Sequence, residues 1–184
     1  MLRYFLVLAV TDGSLLIASF VLGLLASGEH QQPRSTLRDV HFLIALLTTM
    51  VTLAVHSIVY TYFLATMKWA KEVVHVYQLP EWINDQAKKN KRKAFRFVFW
   101  SITAVAVAAW LGAAAHTRAG LGWPLWHLGA AALALAFNFG AFAVEYAVIL
   151  SHARLLLEVK ARADKLRVER YGPEGAAVAG EVRP

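Results

Sequence analysis

The chain contains no cysteine. That absence excludes disulfides, thiolate metal sites and cysteine nucleophiles, and with them the CxxCH attachment of covalent haem. Charge is also scarce. Only 17% of the 184 residues are Asp, Glu, Lys or Arg, against about 25% in an ordinary soluble domain. The signatures of soluble enzymes are missing as well. There is no glycine-rich phosphate loop, no GxSxG, no HExxH zinc helix and no closely spaced pair of carboxylates. Enzyme activity other than redox transfer is therefore not expected. The net charge of +7 does not point to nucleic acid, because the basic residues cluster beside apolar segments.

What the chain has is apolar length. Hydrophobic residues make up 58% of it. Four apolar segments, at 4–26, 40–66, 95–116 and 124–150, predict four transmembrane helices. The second is the most informative, for 40–66 carries no Asp, Glu, Lys or Arg. That stretch crosses a hydrocarbon core of roughly 30 Å at about 1.5 Å per residue. It is not uniformly greasy. His41, Thr48, Thr52, His56 and Tyr60 project within an arc of roughly 120° on a helix. Such a stripe turns toward protein, cofactor or water rather than lipid.

The first segment follows Arg3 and has a basic start and an apolar middle, as a signal peptide does. Its run is longer than a signal core, so a retained helix is expected. It carries Asp12 beside Gly13 and Ser14. The second and fourth helices are predicted to continue past the bilayer, over 67–79 and 151–170. Met67, Ala70, Val74 and Tyr77 keep an apolar stripe on one, and Leu156, Val159, Ala163 and Leu166 keep one on the other. Pro80 ends the first extension and suits the opening turn of the next helix. Tyr171-Gly172-Pro173 ends the second, and 171–184 reads as a flexible tail after a single membrane domain over 1–170. In the third segment Ala104, Ala108 and Gly112 recur every fourth residue, a face that admits close helix approach. Trp123 and Trp126 suit an interfacial aromatic belt.

Lysine and arginine set the orientation. Sixteen fall at the N-terminus, in 67–96 and beyond 152, whereas the opposite loops hold only Arg34, Arg38 and Arg118. The expected fold is an all-α integral membrane protein. It is a four-transmembrane-helix antiparallel bundle with both termini cytoplasmic and helices 2 and 4 extended into the cytoplasm. A multi-pass protein of a bacterial inner (cytoplasmic) membrane is the simplest host reading. The plan resembles small four-span families, cytochrome-b-type bundles among them, and no stretch matches any of them closely enough to carry residue roles across.

Two polar constellations stand out. Asp12, His56, Tyr60, Asn138 and Glu145 form an intramembrane polar layer. It reads either as a proton, cation or quinone site or as structural pairs, Asp12 with His56 and Tyr60 with Glu145. Unpaired charge at mid-membrane costs on the order of 3 kcal/mol, whereas such pairs contribute about 1 kcal/mol. The second constellation lies at the outer side: His30, His41, His116 and His127. His41, His116 and His127 come from three helices at similar depth and are candidate cofactor ligands. Two of them facing each other suit the axial positions of haem b. Gly112, Gly120, Gly122 and Gly129 give room for a macrocycle, and Arg34, Arg38 or Arg118 suit its propionates. His41 and His127 also suit copper or zinc.

Three functions are compatible with these residues. One is a subunit of a larger membrane complex or homo-oligomer, its partners the lipid bilayer and other membrane subunits or further copies of itself. The second is a b-type haem electron-transfer protein with outer-side histidine ligands. The third is a proton- or cation-conducting oligomer.

Overall fold

The structure, a computed structural model, describes the backbone of residues 1–27, 36–117 and 123–181, and the side chains of 1–27, 36–115 and 124–172. His30, Arg34, Arg118, Gly120 and Gly122 lie outside the described residues, as do the side chains of His116 and Trp123.

The described chain is helical, with no strand among the described residues. Four helices follow one another: α1 (Leu2–Ser27), α2 (Thr36–Tyr77), α3 (Trp82–Thr117) and α4 (Trp123–Glu181). All four are long and apolar enough to cross a membrane. The helices outrun the apolar segments because nothing in the polar flanks breaks them. The basic stretch Lys88 to Arg96 belongs to α3, continuous with the apolar residues that follow.

Breaks fall where the backbone chemistry demands. α2 closes with Gln78 in the left-handed region, at φ 52°. The Leu79 amide then reaches back to the Val74 carbonyl at 3.0 Å, which satisfies a carbonyl the ended helix leaves open. Pro80 follows, and its carbonyl accepts from the Ile83 amide at 3.2 Å as α3 begins. In α4 the helical path is interrupted at Gly172, with φ 71° and ψ 170°. Residues 173–181, expected to start an irregular tail, are helical beyond that break.

The chain divides into two compact units. The first comprises Met1–Tyr60 and Ala94–Ala147 and holds the apolar segments. Its arrangement inverts that of a soluble core. Asp12, Thr48, Thr52, His56, Ser101, Asn138 and Glu145 are buried, while Val7, Val10, Leu43, Met50, Trp110 and Leu133 are exposed. Lipid tails are as apolar as leucine, so a helix in the bilayer gains little by hiding leucine and much by hiding carboxylates. Four spans with this pattern make a multi-pass membrane protein.

The second unit comprises Thr61–Lys93 and Val148–Pro184. Its core is of the ordinary kind: Val74, Leu79, Ile83, Ala87, Leu155 and Val159, flanked by Met67, Trp69, Val73, Tyr77 and Leu166. The apolar stripes expected past residues 66 and 150 meet here. Leu155 rather than Leu156 is the more deeply buried of that pair. Arg167 donates from Nε and Nη2 to the Tyr77 hydroxyl, each at 3.2 Å. His152 is buried against Phe63 and Tyr62, with Nε2 2.9 Å from the Thr66 hydroxyl oxygen.

Candidate functional site

Two sites lie in the first unit, one built on paired histidines and one on buried carboxyls. The histidine site uses all four helices. His41, on α2, contacts α1: its Nδ1 lies 3.1 Å from the Ser19 carbonyl. His127, on α4, contacts α3: its Nδ1 lies 3.0 Å from the Ala108 carbonyl. A carbonyl oxygen only accepts, so Nδ1 donates in both cases and Nε2 of each neutral ring keeps its lone pair.

Glycine makes each seat possible. A Cβ on Gly23, one turn after Ser19, would stand 2.9 Å from Cε1 of His41. A Cβ on Gly112, one turn after Ala108, would stand 2.8 Å from Cε1 of His127. Both distances are below van der Waals contact, so any side chain there displaces the imidazole. The two histidines thus use the same device, a carbonyl at one position and a glycine four residues on. The small face Ala104, Ala108, Gly112 is, toward the C-terminal end of α3, the seat of His127. The two rings lie near each other, with centroids 6.3 Å apart and planes tilted at 60°.

That spacing has chemical content. A metal at an imidazole bonding distance of ~2 Å puts each ring centroid roughly 3.2 Å away, and two opposed rings roughly 6.4 Å apart. Among the described residues no group of three or more His, Asp or Glu is placed to hold a metal ion. Zinc sites take three or four protein ligands. A haem iron takes two axial ones, with the remaining four supplied by the porphyrin. Two imidazoles at this spacing, each oriented by a backbone carbonyl, suit the second donor set in number and separation.

The carboxyl site lies further along the same helices. His56 Nδ1 is 2.9 Å from Glu145 Oε1, and its Nε2 is 3.0 Å from Asn138 Oδ1. Asn138 spends its amide hydrogens toward the Ala134 carbonyl at 2.8 Å, so its oxygen faces His56 and accepts from Nε2. Asp12 Oδ1 accepts the Thr52 hydroxyl at 2.7 Å. Asp12, Thr52, His56, Asn138 and Glu145 have no solvent exposure at all. Phe142 stacks on the His56 ring at 5.7 Å, and Phe139 stands against Phe142.

The structure therefore unites four of the five residues of the expected layer, with other partners than expected. Asp12 bonds to Thr52 rather than His56, and His56 takes Glu145. Tyr60 lies apart, 42% exposed and stacked on Phe95 at 4.3 Å. The reason is angular: Tyr60 ends the arc of the α2 stripe, a full 100° step sum beyond His41, and the lipid side begins there. The hydrogen bond puts Glu145 level with His56. Ser19, Gly23 and the Ala108 carbonyl were not singled out in the sequence. Gly23 had a legible signal, being a glycine near the C-terminal end of α1 as Gly112 is near that of α3.

No protein-family model, no curated protein and no solved structure matches the chain.

Proposed function

We propose that this protein is a membrane-embedded b-type cytochrome, with His41 and His127 as the axial ligands of one haem. The observation that carries the reading is the matched pair of imidazoles. Each donates Nδ1–H to a backbone carbonyl of a neighbouring helix, and the ring centroids are 6.3 Å apart. A carbonyl partner on Nδ1 fixes the tautomer and raises the basicity of Nε2, as metal-bound histidines require. Arg38, three residues before His41, is a described cation at the same end of α2 for a propionate.

The topology that suits this function is an antiparallel bundle with cytoplasmic termini. Contact order supports it: Asp12, Leu15 and Ser19 meet Thr52, Thr48 and His41 in descending order along α2. The excess of Lys and Arg at the termini and in 67–96 supports the orientation. The haem then sits toward the outer side of a cytoplasmic membrane. A haem that carries one electron requires both a donor and an acceptor, so the protein works as a subunit of, or docks to, a larger redox assembly.

The test is an absorption spectrum of the detergent-purified protein, oxidised and then dithionite-reduced, with haem quantified on the same sample. One haem per chain with a sharp reduced α-band is expected, lost in His41→Ala and in His127→Ala. A flat visible spectrum from cells supplied with haem overturns the reading.

A further inference from the structure

The two buried carboxyl groups of the first unit each end in an oxygen with nothing to bond. Asp12 Oδ2 and Glu145 Oε2 are buried and without a hydrogen-bond partner among the described residues. Thr52 and His56 are one turn apart on α2, so the carboxyls bond to successive turns of that helix, Asp12 from α1 and Glu145 from α4. α3 adds no titratable group, since no Asp, Glu, Lys, Arg, His or Tyr lies between Arg96 and His116. It does add the buried Ser101 hydroxyl, which has no partner among the described residues. Ser101 precedes Gly112 by the same eleven residues that separate Asn138 from His127, so it stands at the level of Asn138.

The bonding fixes where protons can change. His56 Nε2 holds its hydrogen toward Asn138 whatever else happens. One further hydrogen lies between Nδ1 and Glu145 Oε1, on either atom. The remaining positions are the two partnerless oxygens. The group is net neutral when it holds two hydrogens besides the one on Nε2, and each departure leaves a net charge in a low-dielectric interior. A charge change elsewhere in the same unit must therefore act on it.

The histidine pair supplies such a change. Asn138 lies ~16 Å from His127 along α4, and His56 lies ~22 Å from His41 along α2. A unit charge about 20 Å away shifts a proton affinity roughly fourfold at an effective dielectric of about 20, and more in a drier interior.

We propose that the Asp12–Thr52 and Glu145–His56–Asn138 layer is the proton acceptor of the redox cycle. This rests on the haem reading above. A haem held by His41 and His127 would supply a one-electron ferric–ferrous couple, filled by an external one-electron donor. One proton from the aqueous phase binds at the carboxyl layer, on Asp12 Oδ2 or Glu145 Oε2. Reoxidation returns the electron to an acceptor and the proton to water. Charge balances in both directions.

The experiment is a redox titration of the α-band across the acid-to-alkaline range, for the wild type, Asp12→Asn and Glu145→Gln. It is paired with a reduced-minus-oxidised infrared difference spectrum of the wild type. The midpoint potential is expected to fall as pH rises, by about 35 mV or more in total, which is a fourfold affinity shift at 59 mV per tenfold. One or both variants flatten that dependence and keep the α-band. The infrared spectrum gains a protonated-carboxyl band on reduction that shifts in deuterated water. Should a variant fail to fold, the wild-type infrared band decides. An intact α-band with a pH-independent potential, or no carboxyl band, overturns the proposal and leaves the haem reading standing. A pH dependence unchanged in both variants overturns it too, by assigning the proton to other groups. Absence of the α-band removes both readings.

Discussion

Nδ1 of His41 and Nδ1 of His127 are held in the same way on different helices, 3.1 Å from the Ser19 carbonyl and 3.0 Å from the Ala108 carbonyl. Two helices, α1 and α3, serve as backbone platforms, and α2 and α4 deliver the rings. The equivalence means that neither imidazole is privileged. Removing either one should remove the ligand, and the loss should be repairable where it is only a loss of nitrogen. His41→Gly or His127→Gly is expected to lose the reduced α-band and to regain part of it in millimolar imidazole. A variant that stays dark with imidazole while remaining folded by circular dichroism argues against axial ligation by that residue.

The glycine seats predict a sharp contrast. Gly112→Ala and Gly23→Ala put a methyl 2.8 Å and 2.9 Å from the facing imidazole carbons. The ring must then turn or the helices separate, at a cost of roughly 1–3 kcal/mol for an overpacked site. Haem content should drop several-fold in both. Gly129→Ala, where a Cβ meets nothing within 4 Å, is the control and should retain the wild-type stoichiometry. Equal haem content in all three would sink the seat argument.

For His56 and Glu145 the measurement is a double-mutant cycle by detergent or thermal unfolding. Each single truncation to alanine leaves a polar partner stranded in the bilayer, so each should destabilise by about 2 kcal/mol. The coupling between the two should be about 1 kcal/mol, as for other interhelical bonds in membranes. Glu145→Gln keeps an amide N–H to donate to Nδ1 and should cost less than Glu145→Ala. Additive single effects would show that the 2.9 Å contact contributes nothing specific.

The second unit should respond separately. Ile83 and Val159 are fully buried in its apolar core. Ile83→Ala is expected to destabilise by about 2–5 kcal/mol, read as earlier proteolysis within 61–93 and 148–172. The reduced α-band should survive under native conditions, because His41 and His127 belong to the first unit and this core to the second. Loss of haem in Ile83→Ala at full occupancy of the folded state would contradict this independence.

Much of the architecture is determined by composition alone. A stretch such as 40–66, with no charge, has only one low-energy environment that keeps its backbone bonded, a helix in lipid or in apolar packing. The polar stripe of α2 and the face of α4 carrying His127, Asn138 and Glu145 were legible from the helical period, and so were the apolar stripes past residues 66 and 150. Periodicity gives the angle of a residue about its own axis, and angle was sufficient for these.

Partner choice is another matter, because it depends on how two helices slide and rotate against each other. A shift of one turn, about 5.4 Å, exchanges one partner for the next. The helical period suits Asp12 with His56 as readily as with Thr52, and only the packed bundle gives Glu145 to His56 and Asp12 to Thr52. The glycine seats were hidden for the same reason. Gly23 and Gly112 look like any small residue in an apolar run until the imidazoles of other helices lie against them. The sequence determined four helices, their polar faces and the residues available for chemistry. The tertiary structure decided which of those residues touch, since hydrogen bonds of about 3 Å are made or lost by shifts that leave every helical pattern unchanged.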